Sequence, residues 1–108
     1  MEELNAQRVR QGLYAFIRDD GLTIAAARAA VARAAAGNAG HTTNDFAYLP
    51  SGASADCAGC AAWYTSTVTT GGETFGSCAT DSREHRYAGA AWVWGNDGRR
   101  YMHLFLRR

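Results

Sequence analysis

Residues 87–108 of this chain read YAGAAWVWGNDGRRYMHLFLRR, and this stretch decides the fold. Two runs of aromatic and aliphatic residues flank the tetrapeptide at 95–98, Gly-Asn-Asp-Gly, which is the usual signal of a β-hairpin. Alternate residues of the second run place large apolar side chains on both faces of a strand: Tyr101, His103 and Phe105 on one, and Met102, Leu104 and Leu106 on the other. We therefore expect other layers to cover this hairpin on both sides, so that it forms the sheet core of the domain.

Residues 1–108 are predicted to form a single domain. A chain of 108 residues is long enough to bury a core, and neither a linker nor an internal repeat divides it. Apolar residues make up 47% of the chain, which is typical of globular proteins. The formal net charge is +1, so we do not expect a nucleic acid as the partner.

The sequence contains no run with the length and apolar character of a transmembrane helix. Residues 1–20 mix acids and arginines with scattered apolar side chains, so no secretory signal is expected within them. Two interpretations follow: a cytoplasmic protein, or a mature chain whose signal has been removed.

Two helices are predicted before the hairpin. The first spans residues 2–11 and ends at Gly12, and residues 13–18 then form an apolar connector that enters the core. The second begins near Asp19-Asp20, either of which can cap it, and runs to Ala36. One line along this helix contains Leu22, Ala25 or Ala26, Ala29 and Arg33. The predicted class is α+β, with two N-terminal helices packed on a small antiparallel sheet that ends in the C-terminal hairpin.

The middle of the chain has no clear period. Residues 37–62 are rich in Gly, Ala, Ser, Asn and Asp and are predicted to be coil, which at this length favours a functional loop or a covalently tied segment. Residues 63–70 are aromatic and β-branched and are predicted to form a strand, with residues 73–80 returning as its partner.

Three cysteines, Cys57, Cys60 and Cys78, allow three interpretations. With His85 they could form a Cys3His zinc site, although the chain has a single CxxC. A redox CxxC is a second interpretation, but the motif does not open a helix after a strand. We expect the third, a disulfide between Cys60 and Cys78, which would add about 3 kcal/mol of stability and implies an oxidising compartment.

Two stretches together resemble the CAP superfamily of cysteine-rich secretory, antigen 5 and pathogenesis-related-1 proteins, especially the bacterial SCP-like members. The first is LNAQRVRQGL at residues 4–13, followed by DDGLTIAAARAA at 19–30 and then by Gly40-His41. The second is the terminal stretch itself, which is similar to the closing strand pair of those members. The resemblance implies an α-β-α sandwich with a cleft that in many members holds two histidines and two acidic residues.

The resemblance implies, by the position of Gly40-His41, that His41 is the first cleft histidine. Asn44-Asp45-Phe46 stands where the family has a GEN-like segment, so Asp45 takes the place of the first glutamate. His85 and His103 are the candidates for the second histidine, and neither stands in the family's usual sequence context. The middle helices that carry the second acidic residue are replaced by the Gly/Ala/Ser-rich loop.

The residues themselves leave the roles of these histidines open. His41 precedes a carboxylate by four positions in a polar loop, an arrangement that suits a divalent cation such as zinc, proton transfer, or a ring that pins the loop to the backbone. His103 lies between Met102 and Leu104, which favours a core histidine with a backbone or carboxylate partner over a cleft residue.

No nucleophile elbow, phosphate-binding loop or dinucleotide fingerprint occurs in the sequence. We therefore expect a small CAP-like binding domain, secreted or envelope-associated, with no catalytic residues and no required cofactor. Its expected ligand is a small molecule or a protein. The alternative is a structural subunit that self-associates through the polar loop and the apolar hairpin.

Overall fold

The computed structural model describes residues 1–37, 45–64 and 82–108, with the backbone alone for Glu3 and residues 57–64. Within these ranges the chain forms two α-helices, a short 3-10 helix and a four-stranded sheet. In chain order the elements are α1 (Glu2–Arg10), β1 (Ile17–Arg18), α2 (Asp20–Ala36), the 3-10 helix (Asp45–Tyr48), β2 (Cys57–Tyr64), β3 (Tyr87–Trp94) and β4 (Arg100–Arg107). The predicted α+β class is confirmed.

The terminal hairpin is the centre of the sheet, as its sequence predicts. The strand order is β1-β3-β4-β2, so β3 and β4 occupy the two inner positions. They pair antiparallel from Tyr87 opposite Arg107 to Trp94 opposite Arg100. Gly98 adopts a φ of 78° in the turn between them, which is a conformation that favours glycine.

The two helices cover opposite faces of this sheet. On one face Leu4 of α1 packs in a cluster with alternate strand residues, namely Ala88, Ala90, Met102, Leu104 and Leu106. On the other face Phe105 packs against the small side of α2, namely Leu22, Ala25, Ala26 and Ala29. The result is a helix–sheet–helix sandwich in which both faces of β4 are buried, as its apolar residues on both faces predict.

α2 begins and ends at the predicted residues. The Asp19 carboxylate caps its N-terminus by accepting a hydrogen bond of 2.9 Å from the backbone N–H of Leu22. Gly37 ends it in the left-handed conformation. Near its start the helix crosses β3 so closely that a Cβ on Gly89 would lie 2.1 Å from the carbonyl carbon of Leu22. Only glycine permits this approach.

The connector after α1 contains a strand that its sequence does not predict. Leu13 and Phe16 are buried, as expected, but Ile17 and Arg18 form β1 and pair parallel to the start of β3. The sheet is therefore antiparallel except at this edge. Asn5 fixes the connector by exchanging two hydrogen bonds with the backbone N–H and C=O of Phe16, at 2.8 and 3.1 Å.

The predicted coil over residues 37–62 is wrong in its last part. Residues 57–64 form β2, which pairs antiparallel with β4 and has a register shift between Ala58 and Cys60. Small residues have little intrinsic strand preference, so the exposed edge of β4 and not local propensity determines this strand. The predicted strand from Trp63 thus begins earlier than expected. The rest of it and its proposed partner lie outside the described residues.

Among the described residues, neither helix combines the length and hydropathy that a membrane span needs.

Candidate functional site

A buried cluster of three side chains joins α2, the 3-10 helix and β4. Nη2 of Arg33 donates a hydrogen bond of 2.9 Å to Oδ1 of Asp45, and its Nε donates one of 3.2 Å to Nδ1 of His103. Arg33 and Asp45 are 2% and 5% exposed, and His103 is fully buried. Arg33 therefore connects an acid and a histidine that are 58 positions apart by residue number.

Each member of the cluster is placed by its own element. Arg33 extends the buried line of α2 by one turn beyond Ala29, and it lies in the last turn of the helix. His103 lies on the face of β4 that packs against α2, two residues before Phe105. Asp45 is the first residue of the 3-10 helix. Helix and strand periodicity bring the first two together, and the 3-10 helix, which contacts α2, adds the carboxylate.

The hydrogen bond to His103 defines the tautomer of its ring. A guanidinium N–H can only donate, so Nδ1 of His103 accepts and the ring proton resides on Nε2. In this arrangement the imidazole is neutral. Its Nδ1 lone pair is engaged by Arg33 and is not presented to a metal ion or a substrate.

Aromatic rings surround the cluster on one side. The rings of His103 and Phe105 have centroids 4.5 Å apart, and Phe46 lies 5.8 Å from Phe105. Burial lowers the pKa of the Arg33 guanidinium, and the Asp45 carboxylate opposes that shift. The guanidinium remains charged, because its ordinary pKa lies far above neutral. The cluster is thus a paired charge in apolar surroundings, an arrangement that loses stability when either partner is removed.

Of the three predicted cleft residues, the structure brings two together. Asp45 and His103 meet through Arg33, and His41 lies outside the described residues. His85 is elsewhere: its Nδ1 lies 2.7 Å from Oγ of Ser82. His103, and not His85, is therefore the histidine beside Asp45.

The cysteine hypotheses fall largely outside the described part of the chain. Cys78 is not described, and for Cys57 and Cys60 the structure gives only their backbone positions in β2, opposite Leu106 and Leu104. The disulfide between Cys60 and Cys78 stays a prediction, as does the zinc site that would add His85. Among the described side chains, no three His, Cys, Asp or Glu residues come together as a metal site would need.

Arg33 is the member of the cluster that sequence reasoning did not assign to the site. Its place on the buried line of α2 was the available signal, because a cation at such a position needs a buried partner. Arg8 is another buried cation, and it too has partners. It donates to the carbonyl oxygens of Tyr14 and Ser82 at 2.9 and 2.8 Å, and its guanidinium lies 3.7 Å from the ring centre of Phe16.

A second feature is the aromatic pair at the end of β3. Trp92 and Trp94 are about half exposed, and their rings meet edge to face at a centroid distance of 5.7 Å. The guanidinium of Arg100 lies 4.8 Å from the ring centre of Trp92. Beside this pair, a shallow groove of about 250 Å³ separates the end of β3 from α2.

A third feature is an open cleft of about 540 Å³ at the N-terminus of α2, between Asp19 and the loop of residues 50–54. Arg107 reaches into its wall and forms an ion pair of 3.0 Å with Asp19. The two charged groups of this cleft therefore neutralise each other.

Comparison of the chain with protein-family models, with curated proteins and with solved structures yields no match.

Proposed function

We propose that this chain is a small CAP-like binding domain, secreted or associated with the cell envelope, that acts by binding and not by catalysis. The observation that carries the proposal is the engagement of Asp45 and His103 by Arg33. A general base must reach the proton that it removes, and a metal ligand must present a lone pair. Here the carboxylate and the imidazole both face a buried guanidinium.

The layer order supports the CAP-like part of the proposal. α1 and α2 cover opposite faces of one sheet, which is the arrangement that the resemblance implies. The residues of the opening motif also have definite structural roles. Leu4 is buried in the core, Asn5 clamps the backbone of Phe16, and Arg8 binds the carbonyl oxygens of two loops.

The buried cluster has a structural role in this proposal. It anchors Asp45, and with it the start of the 3-10 helix, to α2 and the hairpin. A ligand site in the neighbouring loop would then rest on a fixed base, although the acid and the histidine do not themselves bind the ligand. Secretion accords with the cysteine interpretation, which remains a prediction.

Histidine NMR with and without zinc tests the proposal. We expect the ring signals of His103 to be unchanged by zinc, because Nδ1 is engaged and the ring is fully buried. The ring signals of His85, whose Nδ1 lies 2.7 Å from Oγ of Ser82, are followed separately, because they would shift if zinc bound at the cysteines instead. A saturable shift of His103 together with His41 would contradict the proposal and indicate a metal site.

An assembly subunit is the second candidate function, and one observation favours it. Several large apolar side chains on β1, α2 and β3 are about half exposed, among them Ile17, Ile24, Val31, Trp92 and Trp94. Exposed apolar surface can mark contact sites between proteins when it is contiguous. Size-exclusion chromatography separates the candidates, since rings or polymers would favour assembly over a binding domain.

A further inference from the structure

In the part of the chain that the structure describes, the outer edge of β3 is open along most of its length. β1 is the strand that lies beside it in the described part of the chain, and β1 pairs only with Tyr87 and Ala88. The backbone N–H of Asp19 extends this contact by donating to the carbonyl of Ala88 over 2.9 Å. From Gly89 to Trp94 no described strand lies on that side.

The direction of the backbone groups follows from that last hydrogen bond. The carbonyl of Ala88 points to the outer edge, and successive residues of a strand alternate in direction. The register of β3 against β4 continues without a bulge to Trp94. The N–H and C=O groups of Ala90, Trp92 and Trp94 therefore point outward, where a further strand would accept and donate hydrogen bonds.

The sequence of β3 lacks the residues that normally prevent edge strands from pairing. Natural edge strands carry charged residues, proline or bulges. β3, by contrast, reads YAGAAWVW and contains neither a charge nor a proline. Two of its outward residues, Trp92 and Trp94, also have half-exposed indoles.

We propose that two copies of this chain form a two-fold dimer by antiparallel pairing of their β3 edges, centred on Trp92. In this register Trp92 pairs with Trp92 of the second copy, and Ala90 pairs with Trp94 in both directions. All three outward residues then exchange hydrogen bonds, and each large Trp94 side chain lies opposite a small one. This dimer is independent of the second candidate function, because a two-fold pairing closes at two copies and forms neither rings nor polymers.

Registers centred on Ala91 or Val93 would pair two outward residues of each copy instead of three. Registers centred on the other two outward residues are excluded by the contacts of the edge itself. A two-fold axis at Ala90 would need the outward carbonyl of Ala88, which already accepts from Asp19. An axis at Trp94 would pair Trp92 with Asn96, which belongs to the turn between β3 and β4.

The helices support the same partner. α2 packs on both β3 and β4, so its axis lies over the space between them. In the paired sheet the two α2 axes would be two strand spacings apart, or roughly 10 Å, which is close to the usual distance between packed helices. The side of α2 beside the groove carries Val31, Ala34 and Ala35. Ile24 and Ala27 continue this apolar stripe at helical spacing towards the start of the helix.

Charge and area are also compatible with a second copy. Antiparallel pairing brings the β1 end of one copy, with the exposed Arg18, towards the turn of the other, with the exposed Asp97. Covering the exposed halves of the two indoles removes about 200 Å² per copy from water. The stripe on α2 extends this area towards the roughly 800 Å² per partner that stable dimers bury.

The test is the mass in solution of the 108-residue chain, measured by light scattering over a range of concentrations. We expect twice the 11.6 kDa of one chain. A single-chain mass at every concentration would overturn the proposal, and so would particles larger than two chains, because a two-fold pairing closes at two. Non-reducing electrophoresis must show single chains, so that no disulfide accounts for the pair.

Two matched pairs of variants locate the interface. Trp92→Pro removes an outward N–H and leaves the ladder to β4 intact, whereas Trp92→Ala removes the same indole and keeps the N–H. We expect dimerisation of Trp92→Pro to be at least about tenfold weaker than that of Trp92→Ala, since two hydrogen bonds are lost per dimer. Equal affinities would overturn the proposed pairing.

The second pair remains informative if proline at residue 92 prevents folding. Val31→Glu places a charge on the exposed stripe of α2, and Val9→Glu makes the same change at an exposed position of α1, on the other face of the sheet. We expect Val31→Glu to weaken the dimer at least about tenfold, because two carboxylates would meet at the helix contact, and Val9→Glu to leave it unchanged. A dimer that both variants leave unchanged would use another surface and would overturn the proposal.

Discussion

Nη2 of Arg33 and Oδ1 of Asp45 lie 2.9 Å apart in the interior of the sandwich, where the two residues are 2% and 5% exposed. This ion pair ties the last turn of α2 to the 3-10 helix that follows it. The same guanidinium binds His103 in the central hairpin. Asp45 and His103, the two candidate cleft residues, are therefore joined by the Arg33 guanidinium, and the three side chains form one structural unit.

We expect Gly89→Ala to destabilise the protein by about 3 kcal/mol, which is the upper range for overpacking. The added Cβ would lie 2.2 Å from the backbone nitrogen of Thr23, so α2 would have to move away from the sheet. Gly21→Ala is the control, because its Cβ would meet side-chain atoms at 3.0 Å or more, and it should change stability by less than about 1 kcal/mol. Urea unfolding measures both, and equal effects would contradict the close crossing.

We expect Asn5→Ala to cost about 2 kcal/mol, because it leaves the backbone N–H and C=O of Phe16 without their partner. Arg10→Ala, at an exposed position of the same helix, should change stability by less than about 0.5 kcal/mol. The free energy of unfolding of the two variants decides the point. If Asn5→Ala is as stable as Arg10→Ala, the clamp on the connector does not contribute.

We expect the protein to lose stability in acid through Asp19. The hydrogen bond from Leu22 and the ion pair with Arg107 hold the pKa of its carboxyl below the ordinary value of 3.8. A lowered folded pKa means that this stabilisation is fully present above about pH 4 and is lost as the pH falls through the lower, folded value.

Asp19→Asn is the matched variant for that prediction, since asparagine keeps the capping acceptor but cannot titrate. The difference in unfolding free energy between wild type and variant should shrink as the pH falls below 4. A difference that is constant with pH would show that the charge of Asp19 does not contribute to the loss of stability in acid.

The hairpin and α2 were the parts of the fold that sequence reasoning described well, and for a physical reason. Alternation in residues 101–106 and the run of small residues in 22–33 are local patterns with the periods of a strand and a helix. Together they indicate which faces must be covered. The positions of Asp19 and Gly37 at the two ends of α2 follow from equally local capping chemistry.

β1 and β2 could not be predicted in the same way. β1 is two residues long, and β2 begins with the small residues CAGCAA, so neither has a local pattern that favours a strand. Both form because the edges of the central hairpin offer backbone hydrogen bonds. Local strand propensity cannot predict a strand that forms through tertiary pairing of this kind.

The candidate site was half predictable. Asp45 and His103 were named as candidates, and the period of α2 placed Arg33 on its buried line. The sequence does not show that Arg33 contacts these two residues, because they are 12 and 70 positions away from it along the chain. The position of His41 lies outside the described residues and remains a prediction.

The central claim, that Asp45 serves to hold a buried Arg33, is tested most directly by a double-mutant cycle on the free energy of unfolding. The variants are Arg33→Met, Asp45→Asn and the two together, all close in volume to the native side chains. Each single variant removes one partner of a buried charge, so each should cost about 3 kcal/mol or more. We predict a coupling energy of about 1–3 kcal/mol between the two positions. Additive effects, with a coupling within about 0.5 kcal/mol of zero, would contradict the claim and leave Asp45 available for a ligand.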